Sequence, residues 1–402
     1  MTPFEVIKQR LTSNIYRHDK IVSYLNRSKN LQFLNELTRI ANIDPIFDYD
    51  TFKNAVINLK CSKTDWIGFH LLGGDSLLYG HLWTLTRYSN QDFTDTTRLL
   101  FPYIEHGISW LDLKKPIDEQ KYVHCMITQG PYRHNAIRAS RNIPHYTIGP
   151  FIHYANTVLN NSQLKHIKEK LGRTLLVFPV HTYESSNASY ERKRYVENVI
   201  NQFGNDFDTI LVSAYWNDVD DEIFDLFTKH GAKIVSSGLR EDHNFISRLK
   251  TLLMLSDTVI GNGLGTQIGY CYYLKKRFIL FEGNERARIT EPDSFVMNGK
   301  SQSALLSSVL SEFKSAFAIS PKSYKQKTKQ LSLFEHYWGG QTKIRTPEEI
   351  KELFAISQDM LDAANGSIFK ADSAYKACLS SYLSSTSKES KIKYSLLSEA
   401  LA

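Results

Sequence analysis

Residues 257–274, DTVIGNGLGTQIGYCYYL, run from a β-branched apolar stretch through a glycine-lined turn into an amphipathic helix. Gly261, Gly263 and Gly265 alternate there, with Asn262 between the first two and Thr266 after the last. Such a turn presents backbone N–H groups at the positive end of a helix dipole, and the chemistry it suits is the binding of a phosphate. The plainer reading is that the glycines only let a helix lie close against a sheet. A dinucleotide fingerprint is disfavoured, because that motif follows the first strand of its unit and this turn follows the fourth.

Three other loops carry groups of the right kind. FPVHTYESSNAS supplies His181, Ser185 and Ser186; GLREDHNF supplies Arg240, Glu241 and Asp242; FEGNERAR supplies Glu282, Arg286 and Arg288. In an open parallel sheet the loops at the carboxyl ends of the strands gather on one rim, so these side chains are expected to converge with the glycine turn. Asp242 also stands where the following helix, HNFISRLK, would take an N-cap. Nearer the N-terminus, EHGISW places Glu105 and His106 where they could serve as general acid or base, although a Glu-His pair before Gly is also an ordinary turn. Asp75, after Gly73 and Gly74, is a weaker candidate of the same kind. Tyr183, Trp216 and Trp338 could stack on a base or sugar. DVDD (218–221) is the nearest approach to a metal-binding DxD, but it reads better as the acidic start of a helix.

The elements that must position these groups follow from periodicity. From residue 173 onward, short apolar runs alternate with helical patterns: TLLVFPV, DTILVSAYW, AKIVSSG, DTVIGNG and RFILFEG are read as strands, each but the last followed by a helix. That rhythm predicts a doubly wound α/β domain with a parallel sheet. Residues 1–60 read as mostly helical, and DWIGFH, YVHCMITQG and HYTIGPFIHYA as strands of a less regular partner domain. LKHIKEKLG (164–172) reads as the connection. PKSYKQKTKQ (321–330) reads as a basic loop, and TPEEIKELFAISQDMLDAAN as a helix capped by Thr346, with Pro347 at its first position and Glu349 completing a capping box. The Ser-rich end reads as a frayed helix or a tail leading into something else. The expected domains are 1–163, 172–340, and a crossing helix with tail at 341–402.

The chain has 402 residues, 42% hydrophobic and 23% charged, as in a globular protein of two ordinary domains. No stretch is long and apolar enough to span a membrane and the N-terminus lacks an apolar signal core, which predicts a cytosolic protein. Cys61, Cys125, Cys271 and Cys378 are too far apart for a CxxC metal site, and no metal site is expected. A formal charge of +7 favours anionic partners. Nucleic acid is not expected among them, since no zinc-finger spacing, RNP-like motif or long basic helix is present.

Taken together, SDTVIGNGLGTQIGYCYYLKKRFILF and the preceding SGLREDHNFISRLK resemble the nucleotide-binding half of bacterial glycosyltransferases of the two-Rossmann GT-B class. The likeness is greatest to the retaining transferases that move β-Kdo, a 3-deoxy-octulosonic acid, from CMP-Kdo onto lipopolysaccharide and related surface glycans. EHGISW, IGPFIHYA and HYWGG read like further landmarks, so the likeness covers about residues 65–355. It implies two Rossmann-like domains with an active-site cleft between them and a C-terminal helix crossing back. It also implies a CMP-Kdo donor with no other cofactor, a lipid-linked polysaccharide acceptor, and peripheral association with the inner membrane. By the same likeness His181, Thr266 and the amides of Gly263 and Gly265 would hold the donor phosphate, although Thr182 stands where the related sialyltransferases have proline. Ser185, Ser186, Arg240, Asn262 and Glu282 would line the donor site, Arg286 or Arg288 would pair with the ulosonate carboxylate, and Asp242 would be the nucleophile of a double displacement. The alternatives are a sialic or nonulosonic acid transferase, a polyol-phosphate transferase, a sugar-nucleotide 2-epimerase, or a glycan-binding module without turnover.

Overall fold

The computed structural model describes residues 36–61, 76, 78–91, 102–110, 125–133, 137, 143–181, 187–189, 191–282, 288–290, 296–297, 300–319, 324–363 and 371–401. DWIGFH, Gly73, Gly74, Asp75, Tyr183, Ser185, Ser186, Arg286 and the helical reading of residues 1–35 lie outside them. The protein is α/β with parallel sheets. The chain forms two compact units, one of residues 1–36, 64–154 and 336–402, the other of residues 37–63 and 155–335.

The described helices are α1 (Tyr49–Cys61), α2 (His81–Tyr88), α3 (Asn161–Leu171), α4 (Arg192–Phe203), α5 (Glu222–Lys229), α6 (Phe245–Leu255), α7 (Gln267–Tyr273), α8 (Gln302–Ala316), α9 (Tyr324–Trp338), α10 (Pro347–Ala363), α11 (Ala371–Ser384) and α12 (Lys388–Leu401). The strands are β1 (Tyr103–Ile104), β2 (Met126–Thr128), β3 (His145–Thr147), β4 (Thr174–Phe178), β5 (Asn187–Ser189), β6 (Thr209–Ala214), β7 (Lys233–Ser236), β8 (Thr258–Gly261), β9 (Arg277–Leu280) and β10 (Arg288–Thr290), besides a short hairpin near residue 300. Among the described residues no helix is long and apolar enough to cross a membrane.

The unit of residues 37–63 and 155–335 is built on a five-stranded sheet in the order β7-β6-β4-β8-β9, every neighbouring pair parallel. The five apolar runs read from the sequence are these five strands. Leu175, Leu176 and Val177 of the central strand are fully buried, which is why it reads as a continuous apolar run without alternation. Tyr195, Val199, Phe203 and Phe227 from α4 and α5 pack with Val177, Val212, Ile260 and Ile279 of the sheet in one hydrophobic cluster. Local signals agree: Asn160 and Gln163 form a reciprocal capping box at the start of α3, and Asp221 caps α5 by accepting from the Ile223 amide at 3.0 Å. DVDD is therefore accounted for by a helix start.

Residues 37–63, assigned by sequence to the N-terminal domain, belong with this sheet. The Ser236 amide donates to the Pro45 carbonyl at 3.1 Å, the Tyr49 hydroxyl to the Val219 carbonyl at 3.3 Å, and the Arg248 guanidinium to the Ala41 carbonyl at 2.8 Å. A helical pattern alone does not say which sheet its apolar face will meet.

The other unit has a three-stranded parallel sheet, β1-β2-β3, with α2 and α10 to α12. The capping box before α10 is formed on both sides, the Thr346 amide reaching Glu349 Oε2 at 2.8 Å and the Glu349 amide reaching Thr346 Oγ1 at 3.2 Å. The Ser-rich end forms two regular helices, α11 and α12, and α12 buries Leu396 and Leu397. The basic segment is helical from Tyr324, so Lys325, Lys327 and Lys329 ride on α9 and not on a loop. The chain passes from one unit to the other near the end of that helix.

Gly130, just after β2, makes a very tight backbone contact within this unit. A Cβ there would lie 2.4 Å from the Tyr337 carbonyl oxygen and 2.6 Å from the Gly339 amide nitrogen, both main-chain atoms that cannot swing aside. Gly130→Ala is expected to destabilise the protein by about 3 kcal/mol, the upper part of the range for overpacking, read as a lower urea midpoint at an unchanged m-value.

Candidate functional site

The strand order places β6 and β7 on one side of β4, and β8 and β9 on the other. Loops leaving β4 and β8 therefore depart in opposite directions, and the crevice at their carboxyl ends is the topological switch point where open α/β sheets take ligands. The two loops there are residues 179–181 and the glycine turn from Gly261 to Thr266. They are tied together: the Val180 amide donates to Asn262 Oδ1 at 2.6 Å, and Asn262 is 3% exposed.

The glycines of the turn have distinct reasons. A Cβ on Gly261 would meet the Phe278 ring at 3.3 Å and the Phe178 carbonyl at 3.4 Å, and one on Gly263 would meet Val180 Cγ2 at 3.1 Å. At these two positions the chain itself fills the space, as the packing reading requires. Gly265 differs, because the nearest atoms are the amide end of the Gln267 side chain, at 2.1 Å from a built Cβ, which can move. Residues 263–267 are part-exposed, so the half of the turn that faces outward is the half leading into α7. That helix has seven residues, and Thr266 precedes it without a side-chain cap bond.

Around the rim the contacts continue. His181 stacks on Tyr215, the residue after β6, with ring centroids 4.0 Å apart at 23°. Trp216 is 6% exposed, and the Arg240 guanidinium from the β7 loop lies 5.2 Å from its ring centroid while donating to Glu241 Oε1 at 2.6 Å. The loops of four strands are thus linked through Asn262, His181, Tyr215, Trp216 and Arg240. A ribbon of β5 and β10, with Arg288 opposite Ser189, joins the segments after β4 and β9, which flank the glycine turn on either side. Arg288 is described at its backbone only. Tyr215 was not singled out from sequence, where Trp216 drew attention; its signal was its place directly after an apolar strand.

Several expected site residues are committed elsewhere. Asp242 is one of them. Its side chain is 2% exposed, one carboxylate oxygen is held by Arg248, and the other accepts the Asn244 amide at 2.8 Å. Arg248 sits on α6 with its side chain 5% exposed and also binds the Ala41 and Ile43 carbonyls. The N-cap of α6 is Asn244. Asp242 is therefore neither an open nucleophile nor the formal cap, but the anionic half of a buried pair. Arg248 was missed, though an arginine within the apolar run FISRLKTLL was its signal. Glu282 is paired with Lys314, its side chain 9% exposed.

Glu105 and His106 belong to the other unit. Glu105 accepts from Arg133 Nε at 2.8 Å with both side chains buried, so its carboxylate is engaged in this pair. His106 stacks on Tyr79, ring centroids 5.5 Å apart. Trp338 is 1% exposed, against Trp110 and Tyr337, which removes it as a stacking surface.

No protein-family model, curated protein or solved structure matches the chain.

Asp242→Asn leaves Arg248 with only the more exposed Asp44 carboxylate, 3.8 Å away, as counter-charge, and breaking a buried pair costs about 3 kcal/mol. Urea denaturation is expected to show that loss, while calorimetric affinity for a nucleotide is expected to stay that of the parent. A variant of unchanged stability that had lost all turnover would return this carboxylate to the chemistry.

Proposed function

We propose that the protein is a nucleotide-sugar-dependent glycosyltransferase that takes an ulosonic acid, β-Kdo, from its CMP-activated form to a surface-polysaccharide acceptor. The observation that carries this reading is the outward-facing Gly263–Thr266 half of the glycine turn, set at the switch point of a parallel sheet and tied by Asn262 to the loop bearing His181. Backbone amides of Gly263 and Gly265, the Thr266 hydroxyl and His181 would receive the single phosphate of CMP. Tyr215, holding the His181 ring from behind, would fix its orientation. Arg240, Arg286 and Arg288, with the serines at 185 and 186, would complete the donor side. A GT-B arrangement, with the acceptor handled by the unit carrying His106, is part of the same proposal, as is peripheral attachment to the inner membrane.

The CMP donor carries one phosphate and so asks for less countercharge than a diphosphate donor. Excess EDTA is therefore expected to leave turnover unchanged. Retention through Asp242 would require the carboxylate to leave Arg248 as the donor binds, and the anomeric configuration of the product reports whether it does.

The test is a calorimetric comparison of CMP, CDP, UDP and GDP. CMP is expected to bind most tightly, and Gly265→Val, whose branched side chain would fill the outward face of the turn, is expected to abolish that binding without loss of fold. His181→Ala is expected to slow transfer roughly ten- to a thousandfold, the span for one lost electrostatic donor. A preference for a diphosphonucleotide, or unchanged CMP affinity in the Gly265 variant, would refute the reading.

A further inference from the structure

The unit containing β1 to β3 has a cavity of about 210 Å³ lined by Pro131, His145, Thr147, Lys343, Arg345 and Leu396, among others, with Glu399 at its edge. Lys343 Nζ lies 2.8 Å from Glu399 Oε1, and Arg345 Nη2 lies 2.7 Å from Glu399 Oε2. The carboxylate is thus gripped by a different cation on each oxygen. Arg345 is itself held in place, its guanidinium donating to the Thr147 carbonyl and its amide donating to the Tyr154 hydroxyl oxygen at 2.9 Å. Glu349 stands 3.6 Å from the remaining arginine nitrogen.

Glu399 is an odd resident for this place. It belongs to the last turn of α12, where the helix dipole disfavours negative charge. Its side chain is 40% exposed, whereas that of Arg345 is 12% exposed and anchored to the β3 backbone. Arg345 is therefore the anchored member of the contact, whereas Lys343, with its side chain 34% exposed, and Glu399 are its open members. Partial burial alone would raise the Glu399 carboxyl, but hydrogen bonds from Lys343 and Arg345 outweigh it and hold the group below the ordinary glutamate range.

We propose that Lys343 and Arg345 form a binding site for a small oxyanion, a carboxylate or phosphate carried by a molecule that fits the adjoining cavity, and that Glu399 is its built-in competitor. Two converging cations, one of them an anchored guanidinium that offers Nη2, are usual recognition elements for such a group. Pro131 and Leu396 would cover the apolar part of the ligand. Binding would displace the Glu399 side chain, so occupancy and this ion pair of α12 oppose each other. The inference stands apart from the glycosyltransferase reading.

The experiment is calorimetric titration of the full chain with inorganic phosphate and, separately, acetate. Glu399→Gln removes the competitor at a part-exposed position, and it is expected to bind one or both anions at least tenfold more tightly than the parent. The gain should vanish when Lys343→Gln is added, and should persist in a Gly265→Val background, which keeps it distinct from the glycine turn. A gain with phosphate alone identifies a phosphorylated ligand, and a gain with acetate alone a carboxylate. Equal anion affinity in the parent and Glu399→Gln would overturn the proposal and leave Glu399 as an ordinary helix-docking ion pair.

Discussion

The hydrogen bond from the Val180 amide to Asn262 joins the two loops on which the candidate site depends. It can form only because β8, fourth among the sheet's strands in chain order, pairs directly with β4, the first. That pairing makes β4 the centre of the sheet, places the switch point beside it, and brings the glycine turn against the His181 loop. The close approach of Gly263 to Val180 follows from the same geometry. A side chain at 263 would push the loops apart, and one at 261 would strike the Phe278 ring on the neighbouring strand. Gly261 and Gly263 thus serve close packing, and Gly265 is where main chain is left part-exposed.

The sheet was legible because its strands are apolar on both faces, as β4 shows, and because each helical stretch between them is amphipathic. Strand order was not legible. Nothing in DTVIGNG says that it will lie beside TLLVF and not beside AKIVSSG, and that choice is what turned a fourth-strand glycine turn into a switch-point turn. The Thr346 and Glu349 box was read directly from spacing, since both partners lie within one turn. The helical character of α9 was hidden by a run of lysines, whose like charges read as a solvated loop.

The carboxylates show the limit of reading chemistry from residue type. Asp242 and Glu105 stand in the polar loops where catalytic acids are expected, yet each is buried against an arginine, six and twenty-eight residues further on. The sequence contains both arginines but not the fold that brings them together. A buried carboxylate paired in this way is costly to unpair, which favours a structural role. His181 and Asn262, by contrast, kept their places, because their positions follow directly from strand ends, where the rim is set by the sheet itself.

The central claim is that the crevice between the β4 and β8 loops is where a phosphate-bearing nucleotide binds. Amide hydrogen exchange of the full chain with and without saturating CMP tests it most directly, because it reports location independently of activity. The account predicts added protection in peptides covering residues 178–181 and 261–267, with little change in the β1 to β3 unit. Binding of CMP with no protection in either loop, and protection confined to the other unit, would contradict it.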